Sequence, residues 1–279
     1  MNDGPIGVID SGVGGLSVWR EIARELPHED TVYFADQAHL PYGSRERDQI
    51  RRFVTAITHF LLQRRCKAVV LACNTASAAA LKHLRETFPL LPTIGMEPAV
   101  KPAAAITKTG VVGIMATPAT FQGALFAATA GRHARGVRLI NQVCEGLADH
   151  IEGGDLTGAA TEAMLRGFLE PIMAARADTI VLGCTHYPFV TETIRRIVGP
   201  DVTVIDPAPA VARHTRQVLA GQALLTTQIR PGRHQFFSTA TCRRFATAAM
   251  QLAQVRADTT YVTWLGDSVE VWQAPQSSE

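Results

Sequence analysis

Two segments of this 279-residue chain share a plan that leaves few folds open. Residues 68–77 read A-V-V-L-A-C-N-T-A-S, and residues 179–188 read T-I-V-L-G-C-T-H-Y-P. Each is an apolar, β-branched run short enough for one buried strand, ending in a small residue and then Cys. Asn or Thr follows at once, and after it a helix-like stretch. In an open α/β sheet, ligands bind at the carboxyl ends of strands, which is where this pattern puts Cys73 and Cys184. The N–H groups opening the next helix favour a thiolate there. A single strand-end Cys is most simply a small buried apolar residue. Two in matching contexts, too far apart for one local motif, point to two similar half-domains sharing one site.

The remaining pattern agrees. The spacing predicts a strand over 5–9, a turn at Asp10-Ser11-Gly12-Val13-Gly14-Gly15, a helix over 16–26 and a strand over 31–35. A loop over 37–44 contains Pro41-Tyr42-Gly43, and a helix over 46–65 leads to the Cys73 strand, its helix to about 88 and a strand over 93–95. A second pass has a strand over 111–115, a helix to about 130, a strand over 137–141, an acidic turn over 151–155 and a helix over 157–175. The Cys184 strand and a strand over 202–205 close it. Beyond 207 come a helix, a strand over 235–238, a helix over 243–255, a segment over 259–264 and a polar tail over 276–279. Such alternation predicts an α/β fold of parallel sheets covered on both faces. I-G-V-I-D at 6–10 aligns with V-G-I-M-A at 112–116, which suggests an internal duplication with one cleft between two related sheets.

Composition narrows the function. A hydrophobic content of 47% and a charged content of 19% describe an ordinary globular protein. The net charge of +2 is too small to argue for nucleic acid or a membrane surface. No apolar run reaches the ~20 residues that span a bilayer, and no targeting signature is visible. The cysteines (Cys66, Cys73, Cys144, Cys184 and Cys242) are odd in number and lack C-x-x-C spacing, so free thiols in a reducing cytoplasm are expected. No His/Asp/Glu cluster has metal-ligand spacing. Pyridoxal chemistry needs a Schiff-base Lys, and Lys67, Lys82, Lys101 and Lys108 all fall in helix-like or connecting stretches. The glycines after residue 11 invite a dinucleotide reading with Asp36 on the ribose. However, Ser17 stands where the third Gly or Ala belongs, and both cysteines are left unexplained.

Two thiols facing each other across a ligand offer another chemistry. One thiolate removes a proton from carbon while the opposing thiol delivers one to the other face, and the stereocentre inverts. The site would then be cofactor-free, built of hydroxyls and helix N-termini around an anionic substrate.

At this point the motifs resemble a known family. D-S-G-V-G-G at 10–15, P-Y-G at 41–43, C-N-T at 73–75 and G-C-T-H-Y-P at 183–188 are similar, in this order, to glutamate racemases of the aspartate/glutamate racemase superfamily. The resemblance runs from about residue 6 to 206 and weakens towards the C-terminus. It implies two pseudo-symmetric α/β domains with the active site in the cleft between them. The first domain would hold 1–97 and 208–279, with the second, 98–207, inserted in it. It also implies cofactor-independent interconversion of L- and D-glutamate, supplying D-glutamate for peptidoglycan. Carried over by position, Cys73 and Cys184 are the acid/base thiols, and Asp10 and His186 assist, one on each side. Glu152, which ends a C-x7-E stretch, joins the same polar shell. Ser11, Tyr42, Gly43, Asn74, Thr75, Thr117, Thr120 and Thr185 match positions that hold the substrate, as Asp10 and His186 also do. Read alone, each of these hydroxyls is more simply a helix cap.

Several positions depart from the commonest pattern: Ala116, Gly123, Glu145, Gln37-Ala38-His39-Leu40 and Thr239-Ala240-Thr241. They put substrate preference, loop motion and C-terminal packing in question. The competing functions are a racemase or isomerase of aspartate or another small carboxylic acid, a racemase-fold protein that binds DNA gyrase, and a dithiol redox protein. The near-neutral charge gives no sign of a DNA-like surface for gyrase. Whether the chain forms a homodimer is left open.

Overall fold

The structure, a computed structural model, describes residues 3–96 and 99–271. Its first elements are β1 (Ile6–Asp10), α1 (Leu16–Glu25), β2 (Thr31–Ala35), α2 (Arg47–Gln63), β3 (Ala68–Leu71), α3 (Asn74–Thr87) and β4 (Thr93–Gly95). The middle of the chain forms α4 (Val100–Ile106), β5 (Val111–Ala116), α5 (Pro118–Gln122), α6 (Ala124–His133), β6 (Arg138–Val143), α7 (Leu147–Glu152), α8 (Ala159–Ala174), β7 (Thr179–Gly183), α9 (Thr191–Val198) and β8 (Thr203–Ile205). Last come α10 (Ala208–Gly221), β9 (His234–Ser238), α11 (Cys242–Ala253), β10 (Thr259–Leu265) and β11 (Ser268–Val271). The expected boundary at 97/98 and the polar tail over 276–279 lie outside the described residues.

These strands build two sheets, ordered β11-β10-β9-β2-β1-β3-β4 and β6-β5-β7-β8. Strands β2-β1-β3-β4 repeat as β6-β5-β7-β8, so the duplication read in the sequence appears as one strand order used twice. All pairs are parallel except β10 with β11, and β1, β2, β3 and β7 are buried throughout. This is why they read as continuous apolar runs rather than alternating ones. By contrast, β6 lies at a sheet edge and is largely exposed, and polar residues interrupt it. After β8 the chain crosses back: α10 packs on α1, and β9 pairs beside β2 in register Thr31 to His234.

One apolar core spans both halves. Val13, Leu16 and Tyr33 from the first sheet's side share a cluster with Cys144, Leu147, Ile151, Leu182 and Tyr187. The halves therefore meet directly behind the strand-end loops. Two local features differ from the spacing. The helix expected to run to about 130 is broken at Gly123, whose ψ of 136° is extended. The acidic turn begins inside a helix, because α7 starts at left-handed Gly146 (φ 75°) and ends at Glu152.

Candidate active site

Cys73 and Cys184 line one cavity, each delivered by the carboxyl end of a strand, β3 in the first sheet and β7 in the second. Ser11, Tyr42, Gly43, Asn74, Thr75, Thr117, Thr185 and His186 line it too, joined by Leu40, Pro41, Ala148 and Gly183. Its volume is ≈ 40 Å³. Beside it, and sharing Gly43 and Thr75, a groove of ≈ 580 Å³ runs outward past Arg45, Arg51 and Gln122.

The two sulfurs sit in unlike surroundings. Cys73 caps α3, its Sγ accepting the Ala76 N–H at 3.4 Å, with the Ser11 hydroxyl 3.9 Å away. Burial, and then the neighbouring Asp10 carboxyl, push the Cys73 thiol up to about 12 despite that cap. The helix N-terminus expected to favour a thiolate is therefore outweighed by desolvation. Cys184 has no α-helix directly behind it, because a 3₁₀ turn over Tyr187–Val190 intervenes before α9. A side chain supplies the positive charge instead. His186 Nδ1 lies 3.7 Å from Cys184 Sγ, and its Nε2 is 3.0 Å from Glu152 Oε1. Burial opposes charge on this ring, yet the sulfur and the carboxylate on either side hold His186 well above its ordinary value. Burial would likewise raise Glu152, but the His186 ring and the Val13 N–H hold it below the usual range. The Cys184 sulfur thus has beside it an imidazole whose charged form is favoured, and Cys73 has a carboxyl near it.

Asp10 ends β1 fully buried, and burial raises it while the His186 charge and the Gly15 and Gly12 N–H groups pull back. Gly12 N donates to Asp10 Oδ2 at 2.9 Å, whereas Asp10 Oδ1 and both polar atoms of Asn74 have no partner within the described residues. Buried polar atoms are almost always paired, and of these only the two Asn74 atoms belong to a residue that lines the cavity. Thr75 Oγ1 meets Thr117 Oγ1 at 3.1 Å, and Thr117 meets Thr120 at 3.1 Å, a line of hydroxyls crossing from one half to the other. Asp10, Thr120 and Glu152, expected at the site, stand behind the wall, not on it. The Tyr42 hydroxyl is turned away onto Asp36 Oδ2 at 2.7 Å.

The glycine run serves neither a nucleotide nor a left-handed turn. A Cβ on Gly12 would collide with the Glu152 carboxylate, and one on Gly14 with the His186 ring. Gly is required because the second half presses its assisting pair against this backbone. Ser17, which spoiled the dinucleotide pattern, spans the same junction: its Oγ bonds Gly14 O at 2.9 Å and Thr185 O at 3.0 Å. Tyr33 supports the loop from beneath, donating to Gly12 O at 2.9 Å. Ser17 was the one visible signal for this support. Nothing in the sequence marked Tyr33, Leu40 or Ala148.

Duplicated parallel sheets with a thiol from each at a shared cavity agree with comparison to known proteins. The chain belongs to the Asp/Glu/hydantoin racemase family, which matches it over residues 6–215. Relatives at about 50% identity are named glutamate racemase. The one from Stutzerimonas stutzeri is 52% identical over 223 residues, 80% of this chain and 84% of the relative. A glutamate racemase isoform from Bacillus anthracis superposes with a TM-score of 0.87 at 33% identity, covering 94% of this chain and 98% of that one. The Francisella tularensis glutamate racemase, solved in complex with D-glutamate, gives 0.83 at 29% identity over 95% and 98%.

Proposed function

We propose that this chain interconverts L- and D-glutamate without a cofactor, using Cys73 and Cys184 as acid and base on opposite faces of the α-carbon. The observation that carries the reading is the single cavity into which each sheet sends one thiol. The kinship with glutamate racemases directs it to glutamate rather than aspartate. Residues 98–207 then form an inserted domain, and the product supplies peptidoglycan synthesis in the cytoplasm. Among the described residues no helix is long and apolar enough to cross a membrane.

In one direction the Cys184 sulfur, with the His186 cation beside it, takes the α-proton. The proton carried by Cys73 is delivered to the other face. In the reverse direction the roles exchange. Asn74, Ser11, Thr75 and Thr185 hold the amino and carboxylate groups, and the N-terminus of α3 steadies the negative charge that develops as the proton leaves. The groove that shares Gly43 and Thr75 with the cavity is the route by which substrate enters, and its closing over the substrate expels water before proton transfer.

Purified protein incubated with L-glutamate after exhaustive EDTA dialysis, with no pyridoxal phosphate, should form D-glutamate, resolved by chiral chromatography. Formation of D-aspartate from L-aspartate in preference would redirect the assignment.

A further inference from the structure

The loop that brings Tyr42 and Gly43 to the cavity is held by a carboxylate that does not line it. Asp36 is fully buried at the end of β2. It accepts from His39 Nδ1 at 2.9 and 3.2 Å, Tyr42 Oη at 2.7 Å, Thr239 Oγ1 at 3.2 Å and Trp264 Nε1 at 2.9 Å. These donors come from three places: the loop itself, the turn after β9, and β10. Thr239 Oγ1 also accepts the Ala38 N–H at 2.8 Å. The His39 ring lies flat on Phe53, with centroids 3.8 Å apart and planes at 11°, and edge-on to Trp264 at 4.8 Å. Its carbonyl takes the Arg45 Nε–H. One of the four donors, His39, stands at a position where the sequence departs from the common family pattern. Another, Trp264, belongs to the antiparallel hairpin of β10 and β11.

A buried carboxylate accepting this many bonds is fixed by its donors and fixes them in turn. We propose that Asp36, His39 and Trp264 are positioning residues: together they clamp the 37–45 loop so that Pro41-Tyr42-Gly43 stays against the cavity, which makes the C-terminal hairpin part of the substrate-binding apparatus. This rests on the reading of the Cys73–Cys184 cavity as the substrate site. The loop carries no group that exchanges a proton with the α-carbon. Contacts that do not take part in proton transfer lower KM without raising kcat, so loosening it should weaken binding without slowing chemistry.

Trp264→Phe keeps an aromatic ring near His39 and removes the N–H, and His39→Phe keeps a ring to stack on Phe53 and removes the imidazole donor. Each should raise KM for L- and D-glutamate by the same factor, about 5–10-fold, with kcat within about twofold of the unmodified enzyme. Thermodynamics requires kcat/KM to fall by the same factor for both enantiomers, because they have equal free energy. An unchanged KM with only a lowered Tm, or a fall in kcat at unchanged KM, overturns the clamp. Should one variant fail to fold, the other is read in the same way. Cys73→Ser measured alongside separates the two readings. If it still racemises, the site assignment fails whatever the clamp variants do. If it is inactive while both Phe variants keep their KM, the clamp alone fails.

Discussion

Asn74 and Gly14 show how single residues here trade stability for chemistry. Neither polar atom of the Asn74 amide has a partner within the described residues, although the residue is buried. An unpaired buried amide is destabilising, so Asn74→Ala should leave Tm unchanged or slightly raised. If the amide holds substrate, the same change lowers kcat/KM by about 10–100-fold, the effect of losing a bond to a charged group. Thermal melts and steady-state kinetics on one preparation test both signs together. Gly14 makes the complementary case. Its backbone is not left-handed, so Ala is conformationally acceptable there, and the atoms nearest the added methyl are those of the second half's His186 and Thr185. Gly14→Ala should therefore fold but displace His186 from Cys184, with a loss of about 10²-fold in kcat, as misplacement by an ångström commonly brings. Turnover near the unmodified rate would show that the His186 ring is free to shift without consequence.

At the scale of elements, Asp178 ties the start of β7 to the loop after α4. It accepts from Thr107 Oγ1 at 2.6 Å, the Lys108 and Thr109 N–H groups at 2.6 and 2.8 Å, and Thr179 Oγ1 at 3.1 Å. Burial would raise its carboxyl, but these donors outweigh it and bring it from 3.8 to about 2. A carboxylate depressed on folding contributes stability that is present in full above its unfolded value and is lost as pH falls through the folded one. Asp178→Asn should thus cost about 1 kcal/mol at neutral pH, discounted for its partial exposure, and almost nothing near pH 2. The difference in Tm between variant and parent should shrink across that window without a change in kcat. Elements of this kind were legible where periodicity was strong. The strand expected over 31–35 is β2, that over 111–115 gains one residue, and the helix over 46–65 is α2 frayed at both ends. The two cysteine strands and their shared cavity follow from apolar runs closed by small residues. What escaped lacked a local cause. The break at Gly123, the short helix α7 that carries Ala148 to the cavity, and Trp264 reaching back to Asp36 are set by tertiary contact. Tyr42, expected from the motif to hold substrate, lines the cavity, yet its hydroxyl serves Asp36.

The whole molecule combines an approximate symmetry of frame with an asymmetry of charge. One strand order is used twice, and one core runs through both copies. Each half lends a thiol to the cavity, but His186 and Glu152 stand at one sulfur and Asp10 at the other. Inversion needs a group on each face. A serine hydroxyl is close to the thiol in size and a far weaker acid and base near neutral pH. The central claim is therefore tested by Cys73→Ser and Cys184→Ser, assayed from L- and from D-glutamate in heavy water, with chiral separation and mass spectrometry of both recovered enantiomers. Both variants should lose racemisation in both directions, since equal enantiomer energies forbid blocking one direction alone. Each should still place solvent deuterium, without inversion, into the enantiomer whose α-proton faces its remaining thiol, a different enantiomer for each variant. Racemisation near the unmodified rate by either variant would contradict the account.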